Sequence, residues 1–395
     1  MRAEIYSADD IPSRLRADWS RLAGDDPTAG PEWRDAWWNA YGEKLQAAIG
    51  VVYQGEAAVA LAPWYLDRRP WFGRSLAAMG DGKACTDYQR VLVDPSLTEV
   101  EAVAAMECLV DAYENDPTTS RSSAWTLEGV EPEDASIRRV RESLLDAGFE
   151  LIDEPLESSW VLTLPRTWAD FTARVHRTLR RKINKAARRT EQGEVRFETA
   201  TTWQEIDAAW DDFVRLHGLR FRDRDEAGGC FSDPRFNAFL RAAIRNLADR
   251  GAAELVWCRA GNAVVSMQLY VLGGGTAYMY QSGIDPAQMQ LEPGHLLYTH
   301  AVRRLIERGY ERLDFLRGDE PYKADWGAVA RPLARLTCVA PRPSARFRYW
   351  AWRQLRQIKR RWETKPAPAT KPAAGAPPLD TAKDSEDTTL LANHS

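Results

Sequence analysis

Two stretches of this chain, 206 residues apart, follow the same plan, and that repetition limits the fold more than any single motif does. Residues 47–66, AAIGVVYQGEAAVALAPWYL, form two β-rich runs about a Gln54-Gly55-Glu56 turn. Residues 253–272, AELVWCRAGNAVVSMQLYVL, repeat the design about Gly261-Asn262. Paired runs around a short glycine turn predict a β-hairpin. The second hairpin continues through Gly273-Gly274-Gly275 into a third run, TAYMYQSG. Each hairpin is followed, after an interval, by an amphipathic helical pattern and a short apolar run. These are LTEVEAVAAMECLVDAYEND and SAWTLEGV in the first copy, GHLLYTHAVRRLIERGY and ERLDFLRG in the second. A meander followed by helix and strand packs its helix on a mixed sheet. The expectation is an α/β (α+β mixed sheet) chain of two tandem lobes, each with helices packed on its own β-sheet.

A length of 395 residues favours two or three domains, and 44% hydrophobic residues are enough for substantial cores. The expected divisions are a first lobe at 1–157, a second at 158–340, a basic helix at 341–363 and a tail at 364–395. Within ARFRYWAWRQLRQIKRRW, residues 345–362, Phe347, Ala351, Leu355, Ile358 and Trp362 fall on one helical face. Seven Arg or Lys residues cover the rest, so this helix should dock on the body or lie on an anionic membrane. The tail from Thr364 has five prolines and no aromatic residue, too little apolar surface to offset the entropy of ordering. It is expected to be disordered and dispensable.

Several function classes are set aside. The five cysteines are widely spaced without a C-x-x-C pair, which argues against a disulfide framework or zinc ribbon and for reduced thiols. The start, MRAEIYSADD, has no signal-peptide core, and no apolar run approaches the ~20 residues of a membrane helix. The expected location is cytoplasmic, with at most peripheral contact at the inner membrane face. Five histidines show no metal-binding spacing, so no metal is expected. Gly80-Asp81-Gly82-Lys83 lacks P-loop spacing and reads as a turn. No serine sits in a G-x-S-x-G context.

The chemistry concentrates between Tyr280 and Gly327. Leu291-Glu292-Pro293-Gly294 opens a helix; proline suits a helix start and glycine admits a ligand close to the backbone. The Pro293-Gly294 start of that helix, with the amides that follow through His295 and Leu296, is a candidate phosphate site. Further on, Asp314 to Lys323 reads DFLRGDEPYK, a crowd of charged and phenolic groups at the end of an apolar strand. Upstream, residues 174–189 carry eight Arg or Lys and no acid. Such a helix is either a solvated face or a contact for a polyanion, with Arg180 and Arg181 on one side. Without interleaved aromatics or a DNA-binding motif, no DNA partner is expected.

PGHLLYTHAVRRLIERGY followed by DFLRGDEPYKADWG resembles the signature of BioF2-like acetyltransferases. That group is often labelled CelD and sits beside the FemAB-type transferases in the GCN5-related N-acetyltransferase (GNAT) superfamily. The helix HRTLRRKINKAARRTEQGEVRFE is similar to the element that opens that domain, and the likeness covers about 158–340. It implies transfer from an acyl-CoA, acetyl-CoA foremost, to an amine: a small molecule, an amino sugar or glycan, or a peptide-bearing envelope or exopolysaccharide precursor. The resemblance also leaves two rivals: an aminoacyl-tRNA-dependent transferase and a non-catalytic scaffold in a polysaccharide pathway. On this reading Glu320 or Asp319 would be the base, Tyr322 would protonate the leaving thiolate, and Lys323 would stabilise the oxyanion. Arg317, Arg180 and Arg181 would contact substrate.

Overall fold

The computed structural model describes residues 1–69, 73–222 and 229–363. The tail, expected to be disordered, lies outside them. The chain divides into two units, Met1–Trp352 and Arg353–Ser395. All that follows concerns the first unit except where the last helix runs on.

The first lobe begins with β1 (Arg2–Tyr6), α1 (Ser13–Ala23) and α2 (Pro31–Tyr41). The expected hairpin is β2 (Gln46–Gln54) and β3 (Ala57–Arg69), turning at Gly55 with φ +63°. Then come β4 (Gly73–Ala78), β5 (Leu92–Val93), α3 (Glu99–Asn115), β6 (Ala124–Val130), α4 (Ala135–Asp146) and β7 (Glu150–Pro155). A capping box between Thr98 and Glu101 starts α3, satisfying amides that the helix leaves orphaned.

The first lobe closes with β8 (Ser159–Thr163). The second opens with α5 (Trp168–Arg174) and α6 (Arg177–Glu191), then follows the order of the first through β9 (Val195–Ala200), α7 (Trp203–Arg222) and α8 (Pro234–Ala248). The second hairpin is β10 (Ala253–Ala260) and β11 (Ala263–Gly273), and it leads into β12 (Thr276–Ile284). After α9 (Pro293–Glu307) come β13 (Arg312–Arg317), α10 (Pro321–Asp325), β14 (Val329–Arg331), β15 (Ala334–Val339) and α11 (Pro343–Glu363).

The first sheet has the order β1-β2-β3-β4-β6-β15-β7, with β5 on β3; the second runs β14-β8-β13-β12-β11-β10-β9. Matched from β1 and β9 inward, the two sheets agree strand for strand. They agree also in their one parallel pair, β4 with β6 and β12 with β13. In each sheet, however, the slot beside that pair is filled from the other lobe. β15, expected with residues 158–340, lies between β6 and β7 of the first sheet. β8, the last strand of the first lobe, lies between β13 and β14 of the second. Each lobe thus lends its last strand to its partner.

Alternation along the strands sorts the core. On β2, Ile49, Val51 and Tyr53 face a cluster shared by both lobes, while Ala48 and Val52 face an outer cluster under α3 and α4. On β10, Leu255 and Trp257 join the shared cluster, and Val256 and Cys258 an outer one with α6 and α9. The shared cluster holds α1, α2, α7 and α8, where Trp33 meets Phe239 and Tyr280 edge-on, each at 5.0 Å. The lobes are therefore joined by buried apolar surface.

Candidate functional site

The parallel pairing of β12 and β13 ends after Tyr278 and Asp314. β12 continues along β11 as far as Ile284, with a bulge where Leu269 and Tyr270 shift register. β13 instead turns away: Leu316 is left-handed at φ +57° and Gly318 stands at φ +127°. A cavity of about 390 Å³ borders the diverging half of β12. Met267, Ile284, Met289 and Leu297 give it apolar walls; Tyr322 and Arg220 supply polar groups. Its size and character suit a small-molecule site.

Pro293, Gly294 and His295 line the same cavity at the start of α9. Proline has no N–H, and the Leu296 amide is already bonded to Glu292 O at 3.1 Å. The amides left for an anion are those of Gly294 and His295. Leu296, expected as a fourth contributor, has its side chain in the core at 2% exposure. A Cβ on Gly294 would meet only Ile284 Cδ1 at 3.4 Å.

The basic helix reaches this junction, but not through the arginines singled out in the sequence. Lys182 Nζ lies 2.8 Å from His295 Nε2, Lys185 pairs with Glu292, and Arg189 donates to Leu291 O at 2.8 Å. These three are spaced i, i+3, i+7, so one helical face carries them. Arg180 donates to the carbonyls of Thr172, Ala173 and Val175, closing the end of α5, and Arg181 is exposed. Burial, with the Lys182 ammonium beside it, holds the His295 imidazole below its usual pKa. A second hollow of about 340 Å³ adjoins His295, between Lys182 and His176 on one side and Asp325 on the other.

The strand-end loop is held from within. Lys323 is 1% exposed, and its ammonium donates to Leu316 O (3.0 Å), Arg317 O (3.2 Å) and Gly318 O (2.8 Å). Glu320 Oε2 lies 3.0 Å away. With three protons and three carbonyls, Lys323 has no hydrogen left to give an oxyanion in this geometry. Its place is that of a clamp on the left-handed turn. Arg317 is likewise engaged: it pairs with Asp87 at 2.8 Å and Glu128 at 3.1 Å across the lobe boundary, and it does not line the cavity. Asp319 accepts from Ser158 N and Trp160 Nε1, tying the loop to β8. Glu320 stays near the cavity, 3.8 Å from Arg220. Tyr322 lines the cavity, its hydroxyl 3.1 Å from that of Tyr298.

Some residues here carried no sequence signal. Arg220 on α7 bonds to Ser282 Oγ at 2.5 Å and faces the cavity, yet belongs to no motif. The segment that follows the Gly80-Asp81-Gly82-Lys83 turn, up to Arg90, bridges the lobes. Tyr88 donates to Asp314 at 2.6 Å, Asp314 accepts from Ser159 at 2.8 Å, and Tyr280 donates to Ala84 O at 2.6 Å. Burial raises the Asp314 carboxyl, and it pushes Asp87 up to about 6 despite Arg317. Beside this bridge lies a cleft of about 220 Å³ walled by Arg90 and Asp134 of one lobe and Tyr278 and Arg312 of the other. Among the described residues no cluster of His, Cys, Asp or Glu is arranged to hold a metal ion.

Residues 173–324 match the family model described as an acetyltransferase (GNAT) domain. A crystal structure of FemX superposes with a TM-score of 0.63 at 12% identity, covering 88% of this chain and 99% of that one. The C-terminal domain of a putative lysylphosphatidylglycerol synthetase from Agrobacterium fabrum gives 0.52 at 12% identity, over 86% and 95% of the two chains. A conserved protein of unknown function from Bacteroides thetaiotaomicron gives 0.54 at 13% identity, over 85% and 100%. No curated protein matches the sequence. The fold is that of the GNAT superfamily in its FemX-like, two-lobed form.

Proposed function

We propose that this GNAT-fold chain is an N-acyltransferase that moves an acyl group from acyl-CoA to a primary amine held between the lobes. One observation carries the reading. The apolar cavity beside the parted strands has free helix amides at one end, where Lys182 meets His295 and Arg189 meets Leu291 O, and the Tyr322 hydroxyl in its wall. A thioester with a phosphate-rich handle has the same sequence of parts: anion, extended apolar arm, reactive carbonyl.

In this scheme Gly294, His295, Lys182 and Arg189 hold the donor phosphates. The amine enters from the inter-lobe cleft, and Glu320, oriented by Arg220 and Lys323, takes its proton. The amine nitrogen bonds to the thioester carbon, whose oxygen becomes an oxyanion; collapse breaks the C–S bond, and Tyr322 protonates the departing thiolate. Arg220 supplies the positive charge that the developing oxyanion needs. Lys323 acts at one remove, by fixing the loop that carries Glu320 and Tyr322. A thioester of this kind is an intracellular metabolite, so this reading goes with a cytoplasmic reaction. The amino-sugar, glycan or envelope-precursor acceptor rests on the family resemblance alone.

A second reading is favoured by the likeness to FemX and by the exposed cations of α6. The donor would then be an aminoacyl ester on tRNA. Thermal-shift measurements with acetyl-CoA, longer acyl-CoAs, free CoA and charged tRNA separate the two, because a ligand of the native state raises the midpoint by mass action. A rise with CoA thioesters and none with tRNA supports the first; the reverse supports the second. No response to any of them leaves the scaffold reading.

A further inference from the structure

We propose that the outward face of α11 is a docking surface for an anionic lipid bilayer. The first turns of α11 are fixed to the body by one face. Ala345 and Tyr349 are buried in the outer core of the first sheet, Trp352 packs against it, and Arg346 donates to Gly148 O at 3.2 Å. That arrangement settles the helix without the apolar stripe read from the sequence. Phe347 and Trp350 lie on the other side, 65% and 57% exposed, with their rings stacked at 5.9 Å. They are the only exposed phenylalanine and tryptophan among the described residues. Leu355 is also exposed, and Ile358 and Trp362 continue the stripe in the sequence at the same spacing.

From Phe347 to Leu355 the exposed apolar residues run about 12 Å along the helix. Seven Arg or Lys residues and one acid accompany it on α11. A partner protein with a pocket would ask for one or two anchors. A plane with apolar depth and negative charge at its surface matches two exposed stacked rings on a helix whose sequence is rich in arginine. Aromatic rings settle at the headgroup boundary, and arginine stems reach from apolar depth to phosphate. RNA would use the charge and leave the stripe without a role. The proposal does not depend on the transferase reading.

Sedimentation of the full-length protein with vesicles tests it, using phosphatidylcholine alone and phosphatidylcholine mixed with phosphatidylglycerol. Binding is expected only to the anionic vesicles. It should weaken at least about tenfold in Phe347→Ser/Trp350→Ser, two exposed positions whose change leaves the thermal midpoint in place. Full-length protein that stays in the supernatant with anionic vesicles overturns the proposal, even if a chain ending at Glu363 pellets, since the tail then covers the face. An aromatic variant that binds as the wild type does also overturns it, because charge alone, as RNA would exploit it, then suffices.

Discussion

The Lys323 ammonium lies 2.8 Å from the carbonyl oxygen of Gly318, a residue whose φ of +127° no side chain would readily adopt. The charge and the strained turn hold one another. Lys323→Met should strand three buried carbonyls and lower stability by about 3 kcal/mol. Activity per folded molecule should fall chiefly through a loosened loop, and Lys323→Arg, longer and planar, should not restore it. A variant as stable as wild type but 100-fold slower would return Lys323 to direct contact with the reacting carbonyl.

Tyr322→Phe keeps the ring in the cavity wall and removes the proton donor. Turnover should drop about tenfold while the KM for the acyl donor barely changes, the signature of a transition-state interaction. Steady-state kinetics decide it. A rise in KM at constant turnover would make Tyr322 a binding residue instead.

Gly294 has room for a side chain in the fold, so Gly294→Val should leave the thermal midpoint unaltered. The added methyls would stand where phosphates approach the helix amides, and donor affinity should weaken about tenfold by calorimetry. Equal affinity in the variant would move the donor elsewhere.

Lys182→Ala should likewise weaken donor binding, several-fold and more at low salt than at high. Arg181→Ala should not, since that arginine faces solvent. Fluorescence titration of CoA against both variants at two ionic strengths is the measurement; matching losses would mean that the helix acts as a diffuse field.

Burial holds the His217 imidazole down at about 4, and burial with Arg304 nearby does the same to His300. In the unfolded chain both titrate near 6.5. Between those values the unfolded state binds more protons, so stability is fully present above pH 6.5 and falls as the pH drops towards 4. For His217 the full loss is on the order of 3 kcal/mol. Asp87, raised to about 6, works in the opposite sense over pH 4–6 and offsets part of it. Urea melts at pH 7, 5.5 and 4.5 should show the decline, reduced in His217→Gln. A flat profile would contradict this account of the buried imidazoles.

Much of the fold was legible because period-two alternation and glycine turns act locally: both hairpins, α3, α9 and the strands after them stand where the sequence puts them. The exchange of β8 and β15 was not, since each strand leaves its neighbours in sequence for a distant sheet. In the site, the count of cations on α6 was readable but their phase was not. Arg180 was lost to the end of α5 and Lys182 gained at His295. Lys323 and Arg317 looked available because charged groups usually are. Their capture by carbonyls and by Asp87 depends on a turn and a lobe contact that residue types do not announce.

The exchanged strands bear on how the molecule can be divided. A cut between Leu156 and Ser158 gives two halves of reasonable length, but neither is a domain. The first half would carry a gap between β6 and β7, and the second would carry a spare strand with no groove of its own. Each would expose unpaired strand edges and tend to aggregate alone. Mixed or produced together, the second half supplies the strand that the first lacks, and the folded molecule would be recovered as a split protein whose reassembly needs no added linker.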